Sequence, residues 1–395
     1  MKPGDVIELS VERMSYGAAA VGRYSVGGPE DRPVVVFVDG AAPGERIEAR
    51  ITKQKKNYWE ASLVRILTPS GERVTPPCPD FGVCGGCQWQ HLSYAAQLRA
   101  KADVLLHQVQ RATHLPREKL ESLLVTHGAV NPFRYRARVQ ARGNGKGIGY
   151  FKAGSREIVH TEDCLIIRPE IRRAWDNFQA TKPLTELSRK EGMFKVEWTL
   201  TETGQVREAI NQEHAALGFT QINPEQNEVL RTVVEKAVLE GTGGRDLLLD
   251  LYAGDGNLSR KLSPRFERTV CVETHGLGRT AERLFQHLEI TDVSQLPGGV
   301  THVSEDVGDF LRSPRFKTLK PNAIIADPPR EGLAGTAALI AQRHVPTVVL
   351  VSCDPSTLAR DLAAFIDTYE IQRLHLVDMF PQTYHLEIAA VLHRL

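Results

Sequence analysis

The chain has 395 residues, 42% of them hydrophobic and 25% charged, and a net charge of +1. That length allows two or three domains with a sizeable core, and the balanced composition excludes a disordered or fibrous chain. No run approaches membrane-spanning length and the amino terminus opens no apolar segment, so a cytoplasmic protein with no membrane partner is expected.

Residues from about Val6 to Leu67 carry short β-branched runs broken by glycines. Val34–Val38 leads into Asp39-Gly40, a turn signal, and Ile47 to Val64 continues in strand-like alternation. The expected element is a small barrel of about five strands. Lys53, Lys55 and Lys56, beside Tyr58 and Trp59, offer cations and ring faces for RNA as readily as a plain solvated turn.

Next come Cys78, Cys84 and Cys87, joined by glycines, with Cys164 far downstream. Six cysteines in a chain without secretion signals argue for metal binding or catalysis rather than disulfides. Three thiolates within ten residues can wrap one centre, and Cys164 completes four ligands if the chain folds back. Four thiolates suit zinc or an iron–sulfur cluster, and spacing alone leaves both open.

A helix is expected from Gln97 to about Ala112. Phe133 to Arg142 then alternates with period two, which puts Arg134, Arg136, Arg138 and Arg142 on one face of a strand. From Asn131 to Arg156 there are seven Lys or Arg and no acidic residue. A one-sided basic row followed by a Gly-rich loop fits a phosphate-tracking surface.

From Phe219 helices and strands alternate, the pattern of a parallel α/β sheet. Asp246–Leu251 runs into a glycine turn through Tyr252, Gly254, Gly256 and Asn257, and Glu273 closes the next strand. Glycines admit a nucleoside, and an acid at the end of the second strand can hold ribose hydroxyls. Ser259 stands where a diphosphate fingerprint needs its third glycine, which points to S-adenosylmethionine rather than NAD. Asn322–Ala326 is a strand ending in Asp327-Pro328-Pro329-Arg330. Thr347–Val351 is another, buried on both faces, ending at Ser352-Cys353. Asp354 reads as the N-cap and Pro355 as the first residue of the following helix. Cys353 thus sits at the carboxyl edge of a central strand, where open α/β sheets bind ligands, and the helix N-terminus would favour its thiolate. Leu374–Pro381 and Leu386–Leu392 read as an antiparallel hairpin at the sheet edge, with Glu387 beside Cys353.

Together these motifs resemble the RNA uracil-C5 methyltransferase family over nearly the whole chain. The resemblance implies a class I, Rossmann-like α/β methyltransferase domain, an N-terminal OB-like β-barrel of the TRAM type, and a small α+β central iron–sulfur domain. The implied boundaries are 1–68 for the barrel, 69–93 and 125–212 for the central domain, and 94–124 with 213–395 for the methyltransferase domain. The spacing of Cys78, Cys84 and Cys87 plus Cys164, with Gln88 and His91 to Tyr94 following, is similar to the branch that carries a 4Fe-4S cluster. Phe219 to Pro224, the turn from Asp250 to Asn257, Asp327 to Arg330, Ser352-Cys353 and His385 to Glu387 fall in family order. Gln221, Tyr252, Asn257, Glu273, Asp306 and Asp327 are then implied to line the S-adenosylmethionine site, with Cys353 as nucleophile and Glu387 as base. The implied substrate is RNA, 23S ribosomal RNA ahead of transfer RNA, acted on by a monomer. Asp354 stands where the family usually has Asn, and an acid there would oppose thiolate formation. Methylation of an exocyclic amine is the rival chemistry, since Asp-Pro-Pro also serves such enzymes. Arg330 replaces the aromatic those enzymes use, and they need no thiol.

Overall fold

The computed structural model describes residues 1–27, 32–189, 192–212, 221–274, 298–333 and 335–395. They form two compact units. The first comprises Met1–Val104, Ala129–Pro224 and Phe380–His385, and the second Leu105–Gly128, Glu225–Met379 and Leu386–Leu395.

The first unit begins with the expected barrel. Strands β1 (Val6–Met14), β2 (Ala20–Tyr24), β3 (Val34–Asp39), β4 (Arg46–Gln54) and β5 (Tyr58–Thr68) close in the order β1-β2-β3-β5-β4. Alternation decides what is inside: Ile7, Leu9 and Val11 of β1 face the interior with Val36, Val38, Ile47, Ala49 and Ile51. Closure removes the free edges that an open five-stranded sheet would expose. Trp59 follows the same alternation inward and packs in this core at 8% exposure. It offers no stacking face to RNA, and Tyr58 is set edge-on against Phe37. Helix Tyr94–Thr113 is longer at both ends than periodicity indicated, and its Ala96 and Ala100 join the barrel core.

A five-stranded sheet completes this unit. It uses β7 (Arg138–Asn144), β8 (Gly147–Phe151), β9 (Ile158–His160), β10 (Phe194–Leu200) and β11 (Val206–Ile210), ordered β11-β10-β7-β8-β9. Trp175 and Phe178 of helix Pro169–Thr181 pack on Phe194, Val196 and Trp198 of β10. The basic row differs from its sequence reading. The strand starts only at Arg138, and Arg134 has a φ of 54°. Asp163 takes Arg134 through two bonds of 2.9 and 2.7 Å. Glu197 of β10 takes the buried Arg138 at 2.9 Å. Arg136 donates to the Arg138 carbonyl, and Arg142 lies over the Phe151 ring. The acidic partners come from distant parts of the chain, so a local charge count could not see them.

The second unit is built on an eight-stranded sheet. Between β6 (Leu124–His127) and the carboxyl-terminal pair β17 (Tyr369–Val377) and β18 (Glu387–Arg394) the chain adds β12 (Leu247–Leu251), β13 (Arg268–Glu273), β14 (Gly299–Ser304), β15 (Ala323–Ala326) and β16 (Thr347–Ser352). The order is β14-β13-β12-β15-β16-β18-β17-β6. Strands β12 to β16 are mutually parallel and β18 runs against β16. All residues of β12, β15 and β16 are buried, the pattern of a parallel sheet covered on both faces. The terminal hairpin forms, but it is not at the edge, because β6 adds to β17 in parallel. Four residues with no alternating pattern gave β6 no signal in the sequence.

Candidate active site

Parallel pairing brings the carboxyl ends of successive strands to one edge. Leu251 pairs with Ala326, Ala326 with Leu350, and Leu251 with Val272. Tyr252, Glu273, Asp327 and Cys353 therefore leave the sheet on the same side. Ser352 pairs with Ile388 in the antiparallel register, which sets Cys353 beside Glu387 across the β16–β18 ladder. This pairing joins residues that lie more than thirty positions apart in sequence.

Cys353 is held between two hydrogen-bonded neighbours. The Ser352 hydroxyl accepts from Asp354 N at 3.2 Å and donates to the Asp354 carbonyl at 3.1 Å. Asp354 caps helix Pro355–Ala363, its Oδ1 accepting from Ser356 N at 2.8 Å and Thr357 N at 3.2 Å. Cap and Pro at the first helical position stand as the sequence indicated.

The electrostatics of the thiol differ from expectation. Burial pushes the Cys353 thiol up to about 11, Glu387 pushes the same way, and Arg330 opposes them by charge and by a hydrogen bond to the sulfur. The helix N-terminus does not win against desolvation and an adjacent carboxylate. The opposing acid is Glu387, since the Asp354 carboxylate is committed to the cap. Burial raises Glu387 well above the ordinary glutamate value, with Asp327 adding to it, and burial raises Asp327 as well. Asp250, buried behind them, is pushed up to about 7 by desolvation, with Asp327 and Glu273 contributing. The edge is thus a nest of carboxyls that repel one another and one thiol that a single guanidinium supports.

On the other side of Asp327 lies the glycine turn. Tyr252, Gly254 and Gly256 all have positive φ, of 59°, 50° and 72°, so the backbone doubles back sharply. Glu273 Oε2 accepts from Gly254 N at 3.1 Å and Oε1 from Thr274 N at 2.7 Å. Asn257 and Asn227 exchange two side-chain amide bonds of 3.0 and 2.9 Å. Asn227, on helix Pro224–Gly241, escaped sequence reading because an isolated Asn in a helix carries no motif. Asp306 caps helix Val307–Arg312 through Asp309 N at 3.0 Å, and it and Glu273 lie within electrostatic reach of the Tyr252 hydroxyl. Gln221 belongs to the first unit, half-buried just before Asn223.

In the first unit Cys78, Cys84, Cys87 and Cys164 lie within electrostatic reach of one another. Burial raises Cys78, Cys84 and Cys87, the last to about 12, and each feels Cys164. The Tyr150 hydroxyl also reaches Cys164. Among the described residues no group of three or more His, Cys, Asp or Glu is placed to hold a metal ion. The donor set is nevertheless four soft thiols within electrostatic reach of one another, two of which, Cys87 and Cys164, pack on one aromatic core, and that set fits a centre bound by thiolates.

Comparison with known proteins places the fold and the family. Residues 1–64 match the TRAM domain. A relative described as an uncharacterized RNA methyltransferase, from Bdellovibrio bacteriovorus, is 33% identical over 98% of this chain and 95% of its own. The 23S rRNA (uracil(1939)-C(5))-methyltransferase RlmD of Chromohalobacter salexigens is 29% identical over 98% of this chain and 89% of its own. The fold is that of the Pyrococcus abyssi tRNA (uracil-54, C5)-methyltransferase solved with S-adenosyl-L-homocysteine, at a TM-score of 0.68, 19% identity, and coverage of 98% of this chain and 100% of that one. Residues 188–395 match the family described as tRNA (Uracil-5-)-methyltransferase, and the chain belongs to that family of RNA (uracil-C5)-methyltransferases.

Proposed function

We propose that this protein methylates C5 of a uridine in ribosomal RNA through a covalent adduct of Cys353 with C6 of the base. The observation that carries the reading is the β16–β18 register, which sets the Cys353 thiol against the Glu387 carboxyl. The Cys353 sulfur forms a bond to C6, and the C5–C6 electrons of the uracil then form the bond from C5 to the incoming methyl carbon. S-adenosylmethionine supplies that methyl group as an electrophile and leaves as the neutral thioether. Glu387 takes the C5 proton, the C5–C6 double bond re-forms, and Cys353 departs as thiolate. A carboxylate whose proton affinity is raised by burial suits the proton abstraction. Arg330, which supports the thiolate, suits the first and last steps.

Asp327, Glu273 and Asp306, with Tyr252 and Asn257, are the proposed cofactor contacts. A nest of mutually repelling carboxyls favours a cationic ligand, and the sulfonium and ammonium groups of the methyl donor are cations. The stacked uridine must leave its helix to meet a half-buried thiol.

Cys78, Cys84, Cys87 and Cys164 are proposed to hold a 4Fe-4S cluster, which ties Cys164 to the 78–87 loop. Its contribution is structural and no step of methyl transfer passes through it. The substrate assignment follows the ribosomal RNA relative, with which this chain is 29% identical, ahead of the transfer RNA enzyme, with which it is 19% identical.

Four measurements test the reading. Cys353→Ala should abolish methyl transfer, and retained turnover would favour the exocyclic-amine chemistry. RNA bearing 5-fluorouridine, whose C5 substituent no base can remove, should accumulate as a covalent complex. Mapping 5-methyluridine in a strain lacking the protein should show the loss in ribosomal RNA; a loss confined to transfer RNA would overturn that assignment. Iron and sulfide at about four each per chain after anaerobic purification are expected, and stoichiometric zinc would refute the cluster.

A further inference from the structure

The loop that follows Asp327 is held at several points, and the grips come from the helix that starts behind the nucleophile. Asp361 lies two turns along helix Pro355–Ala363 from the cap at Asp354, on the buried face with Leu358 and Leu362. Only 4% of Asp361 is exposed. Its Oδ2 accepts from Leu333 N at 2.7 Å, and its Oδ1 accepts from Arg360 Nη2 at 2.7 Å. That same Arg360 nitrogen donates to the Glu331 carbonyl at 2.7 Å. Between the two gripped residues, Gly332 has a φ of 70° and presses against the Asp361 carboxylate and the Arg360 guanidinium, with no room for a Cβ. On its far side the loop is fixed by Thr336, whose hydroxyl donates to the Leu333 carbonyl at 2.5 Å and meets the Tyr252 hydroxyl. Arg330 stands one residue before the gripped segment, is itself exposed, and reaches the Cys353 sulfur.

We propose that Asp361 and Arg360 are positioning residues for methyl transfer, gripping Glu331 and Leu333 so that the Arg330 guanidinium stays at the Cys353 sulfur. Neither touches the reacting atoms. They act by removing the freedom of an exposed, rotamer-rich arginine at the one place where it offsets the charges opposing the thiolate. The inference rests on Cys353 being the nucleophile.

The test is the pH profile of iodoacetamide labelling at Cys353, read by mass spectrometry of the peptide that contains it, which is independent of turnover. Arg330→Ala sets the reference: it should raise the thiol midpoint and slow labelling at a fixed pH, by about tenfold per unit of rise. Arg360→Ala removes the ion-pair partner of the buried Asp361 carboxylate, which keeps its Leu333 N donor. Its fold is therefore checked by urea denaturation, and Arg360→Lys, which retains the charge, is carried beside it and should restore most of the parent's profile. Arg360→Ala should move the labelling profile in the same direction by a smaller amount and lower kcat with the KM for S-adenosylmethionine unchanged. Asp361→Asn should do the same, more strongly. In the double variant Arg330→Ala/Arg360→Ala the labelling profile should match that of Arg330→Ala alone. A labelling profile and kcat in Arg360→Ala equal to the parent's, or shifts that add fully in the double variant, would overturn the proposal. Failure of the catalytic reading is separate: it would appear as turnover that survives Cys353→Ala.

Discussion

Replacing Glu387 by Gln should move two properties of the site in opposite directions. The Cys353 thiol stands at about 11 against an ordinary 9, with burial the larger cause and Glu387 the second. Two units mean that at pH 8 the thiolate is about a hundredfold scarcer than for an ordinary cysteine. Glutamine keeps the shape and the burial and removes the charge. The thiol midpoint should therefore fall below 11 and remain above the ordinary value, and a fall of one unit speeds alkylation at pH 8 about tenfold. Methyl transfer should drop by about two to four orders of magnitude, because the proposed acceptor of the C5 proton is gone. Labelling of Cys353 with iodoacetamide across the alkaline range, beside single-turnover methylation, reads both. At lower pH the two labelling profiles should approach each other, since parent Glu387 becomes protonated and loses the charge that the variant lacks. Labelling unchanged or slower in the variant would show that the carboxylate does not face the thiol, and the register argument for the catalytic pair would fall with it.

Three further outcomes follow from the packing. Glu197→Ala strands the guanidinium of Arg138, which is only 9% exposed, and breaking a buried pair from one side costs about 3–5 kcal/mol; a urea denaturation midpoint near the parent's would contradict that pairing. Asn227→Leu removes both amide bonds to Asn257 and should weaken S-adenosylmethionine binding about tenfold, the equivalent of about 1.4 kcal/mol, by calorimetry; unchanged affinity would remove Asn257 from the cofactor site. His375 is pushed down to about 4 by burial, with His127, whose Nε2 shares a hydrogen bond of 3.0 Å with His375 Nδ1, adding to it. The unfolded chain takes up that proton first, so this contribution to stability is complete above about pH 6.5 and is lost as pH falls from there toward 4. Replacing His375 by Asn should flatten the dependence of the urea midpoint over that window, and an equally steep dependence would refute the assignment.

The position of Cys353 at the strand end was legible in the sequence because its signals are local. Five consecutive apolar or β-branched residues, a capping acid and a proline at the first helical position occupy Thr347 to Pro355, and strand propensity, cap and turn are decided within that span. The same holds for the alternation that closes the five-stranded barrel and for the glycine turn at Gly254 and Gly256, where glycine takes up the left-handed backbone at least cost.

What lay beyond the sequence was every consequence of long-range pairing. The arginines of 134–142 read as a free basic row because Asp163 and Glu197 are too distant in the chain to enter a local charge count. Trp59 read equally as a stacking surface or as part of a solvated turn because nothing nearby says which of two alternating faces closes inward. The short strand β6 was silent because its stability comes from β17, not from its own four residues. The thiol of Cys353 read as activated because the helix N-terminus is adjacent in sequence, whereas the carboxylate that outweighs it arrives through an antiparallel register. Composition and periodicity determine elements, since those depend on neighbours a few residues away. Charge state at the site is set by burial and by which side chains meet across strands, and only the tertiary fold brings those together.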